Sequence, residues 1–317
     1  MLSRVADTLY WMSRYLERAD NTARLLDVNL HLLADFKDLN DARLVEHWEP
    51  IIQSTGDFEL FRKLYSVADS YSVTDFLTFN RSNPNSILSC YASARQSARM
   101  IRDQISTEMW EAINQTYLRI LGANTSTVWY RGPYEFYQEV KNDSHLFQGL
   151  TDGTYLREEG YNFIHLGRYL ERGDKTSRIL DIKYHILLPR VEDVGGAIDT
   201  VQWTSVLRSC GALEAFHRSY VASVSASRVA EFLILSGLFP RSIRFCIERV
   251  DRILHRLSKS ERGRFSNDAE RLAGRLYYDL TYTRVEDILA TGLHEYLDYV
   301  QARINEVNDA IYETFIG

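Results

Sequence analysis

The sequence predicts an all-α fold, an internally duplicated helical bundle with pseudo-two-fold symmetry. Three observations carry that prediction. First, Arg14-Tyr15-Leu16-Glu17-Arg18-Ala19-Asp20 returns as Arg168-Tyr169-Leu170-Glu171-Arg172-Gly173-Asp174, at an offset of 154 residues. From Ser13 to Leu33 the two copies share 12 identities in 21 positions. Second, both copies have helical spacing and no proline. Third, the 317 residues hold 16 glycines and 5 prolines, a scarcity that favours long helices over a turn-rich β fold. The expectation is one domain over 1–317, with repeat halves 1–153 and 154–317. A two-copy repeat of this length is too long for a solenoid unit.

The elements follow in order. The first helix is expected from about Ser3, a plausible N-cap, toward Phe36. With about 100° of rotation per residue, Tyr15, Ala19, Thr22, Leu26 and Leu33 share one side of it. Arg14, Glu17, Arg18, Asp20, Arg24, Asp27 and His31 fill the other. The polar side is the one the two copies share. Solvated charges need no identity, so this side is expected to be packed, and buried charges must be paired. A polar segment follows at Lys37–Arg43. Trp48–Gly56 is then echoed by Trp203–Gly211 at an offset of 155, and Phe76-Leu77 by Phe232-Leu233. Pro84, Ser86, Ile87 and Cys90 are echoed by Pro240, Ser242, Ile243 and Cys246 at an offset of 156.

Asn83-Pro84 is read as opening a helix, with proline in the tolerated first turn. Arg95, Arg99 and Arg102 on that helix are spaced i, i+4, i+7 and form a basic stripe. The matching positions of the second half are Asp251, His255 and Ser258, so the stripe belongs to the first half. Ser106, Trp110 and Asn114 again have helical spacing. Gly122–Pro133 reads as the longest loop, Tyr134 to about Gly149 as a helix, and Asp152-Gly153-Thr154 as the junction between halves. Val194-Gly195-Gly196 reads as a loop. Long helices are expected from Ser266 onward, with Leu297, Val300, Ile304, Val307 and Ile311 as an apolar stripe.

Composition excludes several function classes. A net charge of -6 is no nucleic-acid footprint. No apolar run is long enough to span a membrane, and Arg4, Asp7 and Arg14 interrupt any signal-peptide pattern. Cys90, Cys210 and Cys246 are too scattered for a zinc cluster or a disulfide framework, which fits a reducing cytoplasm. There is no nucleophile elbow, phosphate loop or dinucleotide fingerprint.

The candidate polar site is Arg14, Glu17, Arg18, Asp20 and Arg24 with Arg168, Glu171, Arg172, Asp174 and Arg178. Two readings stay open. Arg14, Glu17 and Arg24 can line one stripe as a structural ion-pair network; or Glu17 and Glu171 do acid–base or ligand-binding work. The Arg95/Arg99/Arg102 stripe either receives a phosphate or carboxylate or neutralises acidic members of the first helix. Asp27 with His31, and Asp181 with His185, have metal-ligand spacing, but Arg24 and Arg178 beside them oppose a cation, so no metal is expected.

Tyr10–Arg24, Asn83–Ile87, Ala94–Ser106, Trp110-Glu111 and Asn114 resemble the alpha-E domain family, helical bacterial proteins with a Glu-Arg motif. That motif carries over to Glu17-Arg18 and Glu171-Arg172. Ala19 becomes Gly173 and Trp11 becomes His165, so the two motif sites need not be equivalent. The resemblance implies association with circularly permuted ATP-grasp ligase-like proteins and transglutaminase-like peptidases. It thereby implies a part in making, modifying or removing a peptide or amide-linked product. It implies no cofactor. The leading expectation is an accessory binding component of such a system. An enzyme built on Glu17, Glu171 and the arginine stripe, or a structural homo-oligomer, are the alternatives.

Overall fold

The structure is a computed structural model that describes residues 1–38, 48–185, 194–221 and 223–317, excluding the side chains of 31–38 and 184–185. Among the described residues every regular element is a helix. In the first half these are α1 (Ser3–Asp38), α2 (Glu49–Thr55), α3 (Phe58–Leu64), α4 (Ser70–Thr74), α5 (Ile87–Met100), α6 (Thr107–Leu121), α7 (Thr125–Arg131) and α8 (Pro133–Thr154). A π-helical turn, Asp75–Phe79, continues α4. The second half holds α9 (Glu159–His185), α10 (Ala197–Ser209), α11 (Leu213–Ser219), α12 (Ala226–Leu235), α13 (Ile243–Ser258), α14 (Asp268–Tyr282), α15 (Val285–Thr291) and α16 (Leu293–Ile311), with a final π turn at Tyr312–Ile316.

The two motif helices, α1 and α9, lie against each other at the centre. α5 and α8 pack on α1, and α13 and α16 pack on α9. The expectation of one apolar and one polar side on α1 gives way to a stronger statement. From Thr8 to Asn29 nearly every residue is buried, so most of the charged side faces other side chains rather than solvent. Leu9, Met12, Ala19, Ala23 and Leu26 fill the apolar contacts. Leu297, Val300, Ile304, Val307 and Ile311 are all buried, as their spacing predicts.

Local chemistry sets the helix starts. Ser86 begins α5 and Ser242 begins α13; each side chain accepts a backbone N–H three residues on, from Ser89 and Phe245. Cys90 and Cys246, one turn in, direct their thiols at the carbonyls of Pro84 and Pro240. Ser106 caps α6 in the same way. Gly132 and Gly292 hold φ of 105° and 103° at the sharp bends into α8 and α16, a region that side chains avoid.

Several boundaries differ from the sequence reading. Pro84 does not open α5. Asn83 Oδ1 accepts the Asn85 N–H in a side-chain turn, and the helix waits for the better cap at Ser86. α5 ends at Met100, so Arg102 lies beyond it and the three-residue stripe is not one helix face. Gly122–Pro133 contains α7, nucleated by a capping box between Asn124 and Thr127. α8 runs through Gly153 to Thr154, so Asp152-Gly153-Thr154 is helical, and α1 keeps its helical backbone through Asp38. The rest of the Lys37–Arg43 segment lies outside the described residues. Val194–Gly196 is the turn before α10, as expected.

α1 and α9 approach closely enough that a Cβ on Gly167 would stand 2.4 Å from the Tyr10 carbonyl oxygen. Gly167→Ala must therefore push the two helices apart, and a loss of about 1–3 kcal/mol is expected. Gly149→Ala, on the exposed side of α8 with nothing within 4 Å, should gain up to about 1 kcal/mol from helix propensity. Urea midpoints of the two variants check both signs.

Candidate functional site

The shared motif forms a reciprocal ion pair between the central helices. Arg18 on α1 reaches across to Glu171 on α9, with Nε to Oε1 at 2.7 Å and Nη2 to Oε2 at 3.2 Å. Arg172 on α9 reaches back to Glu17 on α1, with Nε to Oε1 at 2.7 Å and Nη2 to Oε2 at 2.9 Å. Each guanidinium presents a planar fork to a carboxylate, the geometry for which arginine is better suited than lysine. The two carboxylates are sealed, with side-chain exposures of 1% for Glu17 and 0% for Glu171. Adjacent placement in sequence makes the exchange work. On each helix the glutamate accepts from the other helix while the next residue donates to it.

The surrounding shells differ. Glu171 also accepts Arg14 Nε at 2.8 Å and has Lys175 at 3.7 Å. Glu17 instead receives Arg241 at 3.1 Å, Asn21 at 3.3 Å and Gln148 from α8 at 3.3 Å. Arg168, the counterpart of Arg14, lies over the Tyr169 ring, and its Nε is buried without a hydrogen bond. Arg241, just before α13, takes its place and also binds Asp20 and Asn21. Its backbone carbonyl accepts Thr176 Oγ1 from α9, which fixes the segment. Arg24 pairs with Asp20 at 2.9 Å and meets His145 of α8 at 3.0 Å. Arg178 and Lys175 hold Asp174 at 2.9 and 3.1 Å. Arg14 and Tyr10 both donate to Asn308, which ties α16 to the centre.

Thus Arg14, Glu17, Arg18, Asp20, Arg24, Glu171, Arg172, Asp174 and Arg178 are brought together, and Arg168 lies beside them. The intrahelical Arg14–Glu17–Arg24 stripe is not how they pair; Arg14 crosses to α9, and Arg24 stays with Asp20. The Arg95/Arg99/Arg102 stripe does not join them. Arg95 donates to Asn114 at 2.7 Å, and both Arg95 and Arg102 lie over the Trp110 ring, while Arg99 is exposed. The acidic members of α1 are neutralised instead by Arg172 of α9, by Arg241, by Arg24 of α1 itself and by Lys141 of α8. Sequence reasoning missed Arg241, Lys175 and Asn308. The recurrence of Pro84 as Pro240 could have pointed to Arg241, since Asn85 occupies the matching place and accepts Arg18 Nη1 at 2.7 Å.

Electrostatics decide the protonation. Burial pushes the Glu17 pKa up, but Arg172 and Arg241 overcome it and hold it below the usual carboxylate range. Burial acts likewise on Glu171, and Arg18, Arg14 and Lys175 hold it well below. Seven cationic side chains face four carboxylates in these contacts, so the cluster favours anions over a metal cation. A cavity beside it, lined by Arg18, Asp57, Lys175 and Arg178, holds about 30 Å³, enough for one or two waters. Burial pushes all three thiols up to about 12, which makes Cys90, Cys210 and Cys246 core residues rather than nucleophiles. Asp27 is bound by Lys141 and Asp181 by His294, at 2.7 and 2.8 Å; the side chains of His31 and His185 lie outside the described residues.

An all-helical chain whose two central helices exchange Glu-Arg pairs defines a class of protein by its core. The chain belongs to the Alpha-E family, a predicted alpha-helical domain with a conserved ER motif, which matches residues 1–316. It is 23% identical over 340 residues to uncharacterized proteins of Mycobacterium bovis and Mycobacterium tuberculosis. The match covers 98% of this chain and 36% of each relative, so the chain spans about a third of their length. No solved structure matches it. Among the described residues no helix is long and apolar enough to cross a membrane.

Removing Arg172 leaves the buried Glu17 with Arg241 as its remaining cation. Arg172→Ala should cost about 3–5 kcal/mol in denaturant unfolding. Arg18→Ala should cost less, because Arg14 and Lys175 remain on Glu171.

Acid should act in two stages. Burial and Arg168 push His165 down to about 4, below its unfolded value of about 6.5. Its share of stability is therefore intact above about pH 6.5 and is lost as pH falls toward 4. Glu17 and Glu171 have depressed folded pKa values, so their share is intact above about 4.3 and is lost at lower pH. Unfolding free energy measured from pH 7.5 to 3 should show both declines. His165→Phe should flatten the first and leave the second; an unchanged slope between pH 6.5 and 4 would rule out the His165 assignment.

Proposed function

We propose that this chain is a non-catalytic binding component of an ATP-grasp-linked system that ligates or modifies a peptide or amide-linked product. In this reading it is a single domain whose halves, 1–153 and 154–317, are copies of one helical unit about a pseudo-two-fold axis. The observation that carries the binding role is the burial of Glu17 and Glu171. Each is ionised, satisfied by arginines and closed to solvent. A general acid or base must exchange a proton with substrate at hydrogen-bond distance, and a cavity of about 30 Å³ admits no substrate, against several hundred for ordinary ligand sites.

The separation of the Arg95 region from both glutamates weighs against the enzyme alternative. The length of the relatives supports a working unit larger than this chain, since the matched part is 36% of each. The Alpha-E resemblance supplies the partner class, ATP-grasp ligase-like and transglutaminase-like proteins. Free, buried thiols at all three cysteines suit a reducing cytoplasm.

Affinity capture with the tagged chain from native extract is expected to recover an ATP-grasp ligase-like protein. The chain alone is expected to hydrolyse no ATP. Glu17→Gln, provided it remains folded, should leave the partner's ligase rate unchanged. Turnover by the isolated chain that disappears in Glu17→Gln would establish an enzyme instead.

A further inference from the structure

On the outer side of the Arg18–Glu171 pair, an open groove of about 520 Å³ runs between α1, α5 and α6. Trp11, Tyr15 and Tyr117 form aromatic walls, and Arg18 and Arg81 supply positive charge. No carboxylate lines it, although the whole chain carries a net charge of -6. Arg18 spends three of its five N–H donors on Glu171 and Asn85, and its side chain keeps 16% exposure. Arg81 is exposed and makes no ion pair among the described residues. The Trp11 ring is held by Tyr15, 5.7 Å away between ring centres, and by the Arg14 guanidinium, 4.7 Å from its centre.

The second half shows what this space accepts. Ser89 and Ser93 of the groove correspond, at an offset of 156, to Phe245 and Arg249. There the Phe245 ring lies 6.1 Å from Tyr169, the counterpart of Tyr15, with the Arg249 guanidinium 4.7 Å from its centre on another side. In the first half, small residues leave the place of that ring and cation open. We propose that the groove binds an acidic peptide segment, seating an aromatic side chain against Tyr15 and a carboxylate between Arg18 and Arg81. This rests on the binding role above and names the ligand class.

The geometry favours a carboxylate over a phosphate. Phosphate sites draw on several free backbone N–H groups at a helix start. Here Ser86 already caps α5, and Pro84, at the groove, has no N–H to give. Two guanidinium forks with a few spare donors match a monoanion, and flanking aromatic faces match an apolar side chain rather than an inorganic ion.

The test uses the full chain with ¹⁵N-labelled tryptophan, following the Trp11 indole resonance. The probes are N-acetyl-Phe-Glu as its C-terminal amide, its uncharged N-acetyl-Phe-Gln amide, and inorganic phosphate. N-acetyl-Phe-Glu is expected to shift Trp11 saturably, with the uncharged analogue about tenfold weaker, from the loss of a charge-assisted contact. Arg81→Glu, on an exposed position, should weaken it by about tenfold or more with the remaining indole resonances unmoved; Ser89→Phe, which places a ring where the ligand's ring would sit, should block it. An unmoved Trp11, equal binding of the uncharged analogue or phosphate, or full binding in Arg81→Glu or Ser89→Phe would overturn the proposal. Recovery of the ATP-grasp partner alongside a failed titration refutes the groove alone. A successful titration without that partner refutes the ligase link alone.

Discussion

The structure depends on one constraint: two carboxylates are buried at its centre, and each must find a cation on the other helix. Glu17 can be ionised inside the bundle because Arg172 is there, and Glu171 because Arg18 is there. An unpaired carboxylate at either place would cost several kcal/mol. The pairing therefore fixes the register of α1 against α9. A slide of one turn would leave charges facing apolar side chains. Gly167 permits the close backbone approach that brings the forks within reach. The outer helices then pack on a pair whose relative position is already set, and α8 and α16 confirm it through Gln148, His145 and Asn308.

The differences between the surroundings of the two glutamates are as informative as the pair. Both glutamates need more than one cation, and they obtain it differently. Glu171 draws on Arg14 and Lys175, residues of the two central helices themselves. Glu17 draws on Arg241, brought in by the segment before α13. Where the second half has Arg241, the first has Asn85, and where the first has Asn21, the second has Lys175. Positive charge thus moves from one element to another while the carboxylates keep their complement. On the outer face Phe245 and Arg249 stand where the first half of the sequence has Ser89 and Ser93, and the smaller side chains line a groove.

A buried network of this kind is weak as a stabiliser, since apolar residues of similar volume often do as well. Its value lies in specificity: few other packings bring these four carboxylates and seven cations together. Depressed pKa values can mark a catalytic group; at Glu17 and Glu171 they accompany burial and hydrogen bonds to both carboxylate oxygens. The polar surface that a ligand can reach is on the outer edge of the same arginine, not at the glutamates.

The sequence by itself determined the helical class, the central importance of the Arg14–Asp27 and Arg168–Asp181 helices, and the burial of their charged side. Identity on the polar face was the legible signal, because solvated charges diverge freely and packed ones do not. Periodicity also placed the apolar stripe of α16. Helix starts and stops were less legible: Ser86 outcompeted Pro84, and a capping box at Asn124 turned an apparent loop into α7. Tertiary structure alone decided the partners. Spacing along one helix suggested Arg14–Glu17–Arg24, but a guanidinium several bonds long reaches a neighbouring helix as readily as its own. The choice falls to whichever carboxylate lies in the plane of its fork. Arg241 joins from more than 200 residues away for the same reason. The groove, too, emerges when α1, α5 and α6 are set side by side, because concavity belongs to the packing and not to any one segment.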